Sequence, residues 1–188
     1  MERAEMKNYD YFTSSSYTSG WETSITQNED YGRKAVEDTI TTFLKDDVEV
    51  EFKVNTTITD PIDLVYQVKK GEKDYRLGIE VKNWSKPCTF LGTPDKKIPD
   101  SVMLKSSKLE RMLEYSRKNN LNFVLYVAIL DNKAYYFDVS RIDYEKIPSS
   151  QIRQKETQMN PNSQWKNYYT FFIPLSDAYR VIDIKEEK

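Results

Sequence analysis

The pattern of apolar and polar positions divides the chain into helical and extended segments. From Asn28 to about Leu44, the residues Tyr31, Ala35, Val36, Ile40, Phe43 and Leu44 recur at helical spacing behind an acidic start, which predicts an amphipathic helix. Val48 to Val54 alternates apolar and charged residues and predicts a half-exposed strand. Leu64, Val65, Tyr66 and Val68, then Tyr75, Leu77, Ile79 and Val81, are residues that strands favour, and Gly71 between them predicts a β-hairpin. Ser85 to Pro99 holds Pro87, Pro94 and Pro99 and reads as irregular chain lining a cleft.

A second helix is predicted from about Ser101 to Lys118, capped by Asp100 or Ser101, with Val102, Leu109, Met112 and Leu113 facing the core. Asn122 to Ile129 is a nearly continuous apolar run, as expected of a strand buried on both faces, and the helix before it makes it parallel to the preceding strand. Ala134 to Ser140 reads as a strand pairing with it. Ser149 to Lys166 is polar and reads as a loop, and Tyr168 to Leu175 as a last strand. Ser176-Asp177 caps a short closing helix in this reading, before a charged tail from Lys185 to Lys188. The fold class is α/β, with residues 28–188 forming a single domain.

The hairpin has a chemical consequence. A two-residue turn at Gly71-Glu72, of the type that requires glycine first, sets Asp63 directly across from Glu80. The two-residue period adds Lys82 to that face and gathers Leu64, Tyr66, Val68, Leu77, Ile79 and Val81 on the other, which must be packed. Opposed carboxylates repel, so the pair calls for a compensating cation. A hard divalent ion such as Mg²⁺ (or Mn²⁺) suits oxygen ligands and points to phosphodiester chemistry.

Composition narrows the choice. The chain has no histidine and one cysteine, Cys88, which excludes Ser-His-Asp and Cys-His hydrolases, histidine-ligated zinc and any internal disulfide. Cys88 is read as a structural thiol. A net charge of −2 argues against a protein that coats nucleic acid non-specifically, but leaves room for a local basic groove. No apolar run is long enough to span a membrane and no signal peptide is evident, so a soluble, cytoplasmic chain without membrane partners is expected.

Asp63 followed after a turn by Glu80-Val81-Lys82 resembles the signature of the PD-(D/E)xK nuclease superfamily, with Pro61 one residue earlier than in that signature. The order helix, three strands, helix, two strands over roughly residues 28–140 is similar to the restriction endonuclease-like αβββαβ core, a central mixed sheet flanked by helices. The resemblance implies a Mg²⁺- or Mn²⁺-dependent nuclease, with DNA a more natural partner than RNA. It implies that Asp63, Glu80 and the backbone carbonyl of Val81 bind the metal, that Lys82 acts in catalysis, and that a glutamate on the first helix assists. Glu37 matches that glutamate best, with Glu29 as runner-up, and an exposed helical acid is the alternative reading of Glu37.

Three further residues are candidates for substrate binding. Trp84 follows Lys82 on the same strand, where it either contacts substrate or packs in the core. Lys105 and Lys108, with Arg111, spread across one side of the second helix and face either phosphates or solvent. Residues 1–27 form a polar arm with interleaved aromatics, either mobile, covering the domain, stacking on bases or touching a partner subunit. A homodimer or a larger complex would supply two cuts for two strands. The alternative function is a catalytically inactive binding or assembly protein on the same fold, in which Asp63, Glu80 and Lys82 form an ordinary cross-strand salt bridge.

Overall fold

The computed structural model describes residues 21–45, 47–56, 60–91, 95–155 and 164–184. In chain order the elements are α1 (Trp21–Leu44), β1 (Glu49–Asn55), β2 (Leu64–Lys70), β3 (Lys73–Asn83), β4 (Cys88–Phe90), β5 (Lys97–Lys105), α2 (Ser106–Lys118), β6 (Phe123–Leu130), β7 (Lys133–Asp138), β8 (Ser149–Lys155), β9 (Trp165–Pro174), a 3₁₀ turn (Leu175–Asp177) and β10 (Arg180–Asp183). Six strands form a central mixed sheet in the order β1-β2-β3-β6-β7-β10, and four form a second sheet in the order β4-β5-β9-β8. The αβββαβ order is present, with β4 and β5 inserted before α2.

The hairpin has the register its turn dictates. Lys70 pairs with Lys73 and Leu64 with Ile79, without slippage. Gly71 adopts φ +61° while Glu72 stays at negative φ, the combination of a type II′ turn, whose twist matches that of the strands it joins. At the other end of the molecule, β3 runs parallel to β6 from Leu77↔Phe123 to Asn83↔Ile129, and α2 provides the crossover. Asp131 and Asn132, both at positive φ, turn β6 back into antiparallel β7.

Both faces of the central sheet are covered. On one, Leu64, Tyr66, Val68, Leu77 and Ile79 join Leu125, Val127, Ile129 and Tyr136 under Ala35, Val36 and Ile40 of α1. Thr39 of α1 and the Tyr136 hydroxyl share a buried hydrogen bond of 2.7 Å and satisfy each other, while the Tyr66 hydroxyl in the same layer is buried without a partner. On the other face, Val65, Val124, Tyr126, Ala128 and Phe137 pack against Leu109 and Met112 of α2 and against Val102, Leu104 and Ile173 of the second sheet. This double cover explains the continuous apolar run of β6, which is buried from Val124 to Leu130.

Four expectations are corrected. The helix starts at Trp21 rather than Asn28, because adding residues to an existing helix is cheap once it is nucleated. The segment 97–105 is strand where helix was expected: Val102 and Leu104 are buried at the two-residue period, and the backbone pairs with β4 and β9. The helical cap is therefore Lys105 and not Asp100 or Ser101, and no side chain caps α2. Part of the predicted 149–166 loop is β8, a polar strand held by its ladder with β9, and the chain closes with β10 against β7 instead of a helix. The predicted arm over residues 1–20 and the tail from Lys185 to Lys188 lie outside the described residues. Among those described, no helix is long and apolar enough to cross a membrane.

Candidate active site

Asp63 stands one residue before β2, where that strand's ladder with β3 ends. Its N–H donates to the Ile79 carbonyl at 2.9 Å, and its carbonyl accepts from Thr56 N–H at 3.1 Å. Its carboxylate Oδ2 accepts from the Val81 N–H at 2.8 Å, taking the place of a strand partner that β2 no longer provides. Ile62, fully buried beside it, anchors the approach, and the Thr56 hydroxyl donates to the Ile62 carbonyl. The backbone of Asp63 is thus held on both sides, and its carboxylate is held by the Val81 N–H.

Glu80 projects from β3 on the same face as Val65 and Tyr126, under α2. Its side chain is 13 % exposed, and the Lys108 ammonium lies 2.7 Å from Oε1. Burial first, and then the charge and hydrogen bond of Asp63, push its pKa up to about 8, and Lys108 pulls it down only in part. Arg33 of α1 reaches the same pair, with Nη2 3.6 Å from Asp63 Oδ1 and Nε buried without a hydrogen-bond partner. The predicted apposition of Asp63 and Glu80 is therefore present, flanked by a cation from each helix.

The remaining candidates separate. Odd-numbered residues of β3 direct their peptide groups toward β2, as the Ile79 and Val81 bonds to Asp63 show, so the Val81 carbonyl faces the open edge beside Asp63. Lys82 is exposed on the Glu80 face, near enough to Lys105 for the two charges to repel. The Lys105 ammonium sits 4.0 Å above the ring of Tyr168, and burial, then Lys82, hold its pKa below the usual lysine value. Trp84 packs in the core and donates from Nε1 to the Tyr126 hydroxyl at 3.3 Å, which donates to the Met103 carbonyl at 3.1 Å. Glu37 is not gathered here; it pairs with Lys53 of β1 on the exposed side of α1. Among the described residues no third acidic, histidine or cysteine side chain completes a three-donor metal set.

Beyond Asn83 the chain lines a cleft of about 580 Å³ with Tyr31, Trp84, Met103 and Asn132 around it. Ser85 to Cys88 border it, but Asp63, Glu80 and Lys82 do not, and the stretch read as irregular up to Pro99 contains β4 and the start of β5. Cys88 is buried and its thiol is pushed up to about 11 by burial, which keeps it protonated and unreactive. Arg33 is the site residue that sequence reasoning missed. Its one sequence signal is its position a single helical turn before Glu37 on the same helix.

No protein-family model matches the chain, and no curated protein matches it. Among solved structures, the chain is similar to Hjc from Archaeoglobus fulgidus, a Holliday junction resolvase from an archaeal hyperthermophile. The likeness has 14 % sequence identity and a TM-score of 0.42, over 82 % of this chain and 92 % of that one.

Proposed function

We propose that the chain is a divalent-metal-dependent nuclease that hydrolyses phosphodiester bonds, acting on DNA as an endonuclease. The observation that carries this reading is the Asp63–Glu80 pair: two carboxylates in contact, one of them deeply buried, with the ionised form of Glu80 disfavoured by burial and by its neighbour. The donor set fits a hard ion, since it consists of oxygen alone, with the Val81 carbonyl turned to the same edge. Asp63, Glu80 and Val81 would hold Mg²⁺ or Mn²⁺, which when bound polarises a phosphate and acidifies water.

The chain's own residues do the rest of the work in this reading. Asp63, locked by Val81 N–H, holds its carboxylate in one orientation toward Glu80. Lys82, exposed beyond Glu80, holds and orients the attacking water. Lys105 and Lys108 draw the DNA backbone to this face by charge. Glu37 has no part in a first metal position in this reading, and Trp84 supports the strand end from within the core. A homodimer or a larger complex brings a second site to the second strand.

A specific observation favours a second reading. With Glu80 ionised, Asp63, Glu80, Arg33 and Lys108 together are two anions and two cations, a set that is electrically complete as a structural network. On that reading the protein is a binding or assembly module without catalysis. Cleavage of plasmid, linear and branched DNA and of single-stranded RNA by wild type and Glu80→Ala, with Mg²⁺, Mn²⁺ or EDTA, separates the two. Metal-dependent cutting that disappears in the variant supports the nuclease; absence of cutting together with absence of metal binding by calorimetry leaves the module.

A further inference from the structure

The charge arithmetic of the site carries a second step, which rests on the metal-binding reading above. Lys108 Nζ lies 2.7 Å from Glu80 Oε1, so one of the oxygens that a divalent ion would use already binds an ammonium. With Arg33 3.6 Å from Asp63, the two carboxylates, once both are ionised as ligation of a metal requires, are matched by two positive charges. A divalent ion added to that set leaves a surplus of two positive charges around a glutamate whose side chain is 13 % exposed, and like charges in a poorly hydrated site repel strongly.

One of the two resident cations is built to leave. Arg33 is exposed to nearly the same extent, at 27 % of its side chain, but its Nε is buried and its rigid planar head is carried on a helix packed to the sheet. Lys108 stands on the first turn of α2, on a flexible four-carbon stem, with 29 % of its side chain exposed, on the side of the molecule where Lys82 and Lys105 lie. We propose that Lys108 is an internal competitor of the divalent ion for Glu80, and that it swings from the glutamate toward solvent when the ion binds. The surplus of positive charge then falls from two to one, and Lys108 is the handle by which the chain sets its own metal affinity.

Two measurements test this. The first is calorimetric titration of Mn²⁺ into wild type, Lys108→Met and Lys108→Gln; the glutamine keeps a hydrogen-bond donor beside Glu80 and protects the fold if methionine does not. Both variants are expected to bind Mn²⁺ about tenfold or more tightly than wild type, the size of shift that one neighbouring charge gives a buried equilibrium. The second uses unaltered protein: acylation of amines by an activated ester, read by mass spectrometry with and without saturating Mn²⁺. Lys108 labelling is expected to rise severalfold with the ion, while Lys118, paired with Glu114 on the same helix and 71 % exposed, stays constant. Wild-type binding with equal or weaker binding by the variants and unchanged Lys108 labelling overturns the competitor. No binding by wild type or either variant overturns the metal reading itself.

Discussion

Two lysine–carboxylate pairs in this molecule have the same length and opposite chemistry. Lys70 Nζ is 2.7 Å from Asp47 Oδ2, and Lys108 Nζ is 2.7 Å from Glu80 Oε1. At the outer end of the sheet both partners are more than half exposed, and the hydrogen bond to Lys70 holds the Asp47 carboxyl below its usual value. Under α2 the same contact fails to offset burial and the neighbouring Asp63, and Glu80 is pushed up to about 8. Distance describes the contact; solvent decides what it does to the proton. An ion pair near the turn is surface chemistry, and one beneath the helix is a site.

The sharpest way to break this contrast is by activity. Glu80→Ala is expected to lower Mg²⁺-dependent DNA cleavage by roughly 10²–10³-fold or more, the scale of losing one preorganised charge at a reacting centre. Asp47→Ala is expected to leave the rate unchanged in the same plasmid assay. Equal losses in the two variants erase the distinction between the pairs.

Next in size is the dependence of stability on pH, where the two pairs have opposite signs. Between the unfolded value of 4.5 and about 8, folded Glu80 keeps a proton that the unfolded chain has released. Its contribution is therefore complete below 4.5 and is lost as pH rises toward about 8. Asp47 contributes above its unfolded value of 3.8, and that contribution is lost as pH falls. Urea denaturation across the acidic to neutral range is expected to show a declining limb that Glu80→Gln flattens, while Asp47→Asn alters only the acid end.

A smaller effect probes what does the burying. Gly78 lies on the Glu80 face of β3, and a Cβ there would sit 2.6 Å from a Leu121 methyl and 2.7 Å from an Ile62 methyl, under the layer that covers the site. Gly78→Ala is expected to cost about 1–3 kcal/mol by overpacking, measured in a thermal or urea melt. Least of all, Lys70→Met is expected to move the melting temperature by less than about 1 °C, as exposed ion pairs contribute little. A large shift there would show the outer pair to be more than surface chemistry.

The parts of this fold that the sequence made legible are those whose causes are local. Gly71, with alternating residues on either side, determines the hairpin register, and the register brings Asp63 to Glu80 with no information from elsewhere in the chain. The parts that were not legible depend on distant partners. Val102 suits a helix stripe with Leu109 as well as a strand face with Leu104, and what makes the segment strand is β9, which pairs Val102 with Ile173 and Leu104 with Phe171. β8 is too polar to announce itself and exists through its ladder with the same strand. Arg33 and Lys108 sit at unremarkable helical positions, and only the packing of two helices on opposite faces of one sheet turns them toward the same pair of carboxylates. Glu37 matched a pattern in order along the chain, but its position on α1 directs it to Lys53.

The turn at Gly71 has a practical side. A side-chain carbon added there would meet nothing within 4 Å, and the strand from Lys73 to Glu80 separates the tip from the carboxylates by roughly 25 Å. A fluorophore or affinity tag spliced into this tip would therefore report on the molecule without reaching the candidate site, provided that the pairing of Lys70 with Lys73 is kept. A one-residue slip of β3 against β2 would present Ile79 and Val81 to the place where Glu80 belongs. The hairpin is at once the safest place to attach a probe and a ruler that tolerates no miscount.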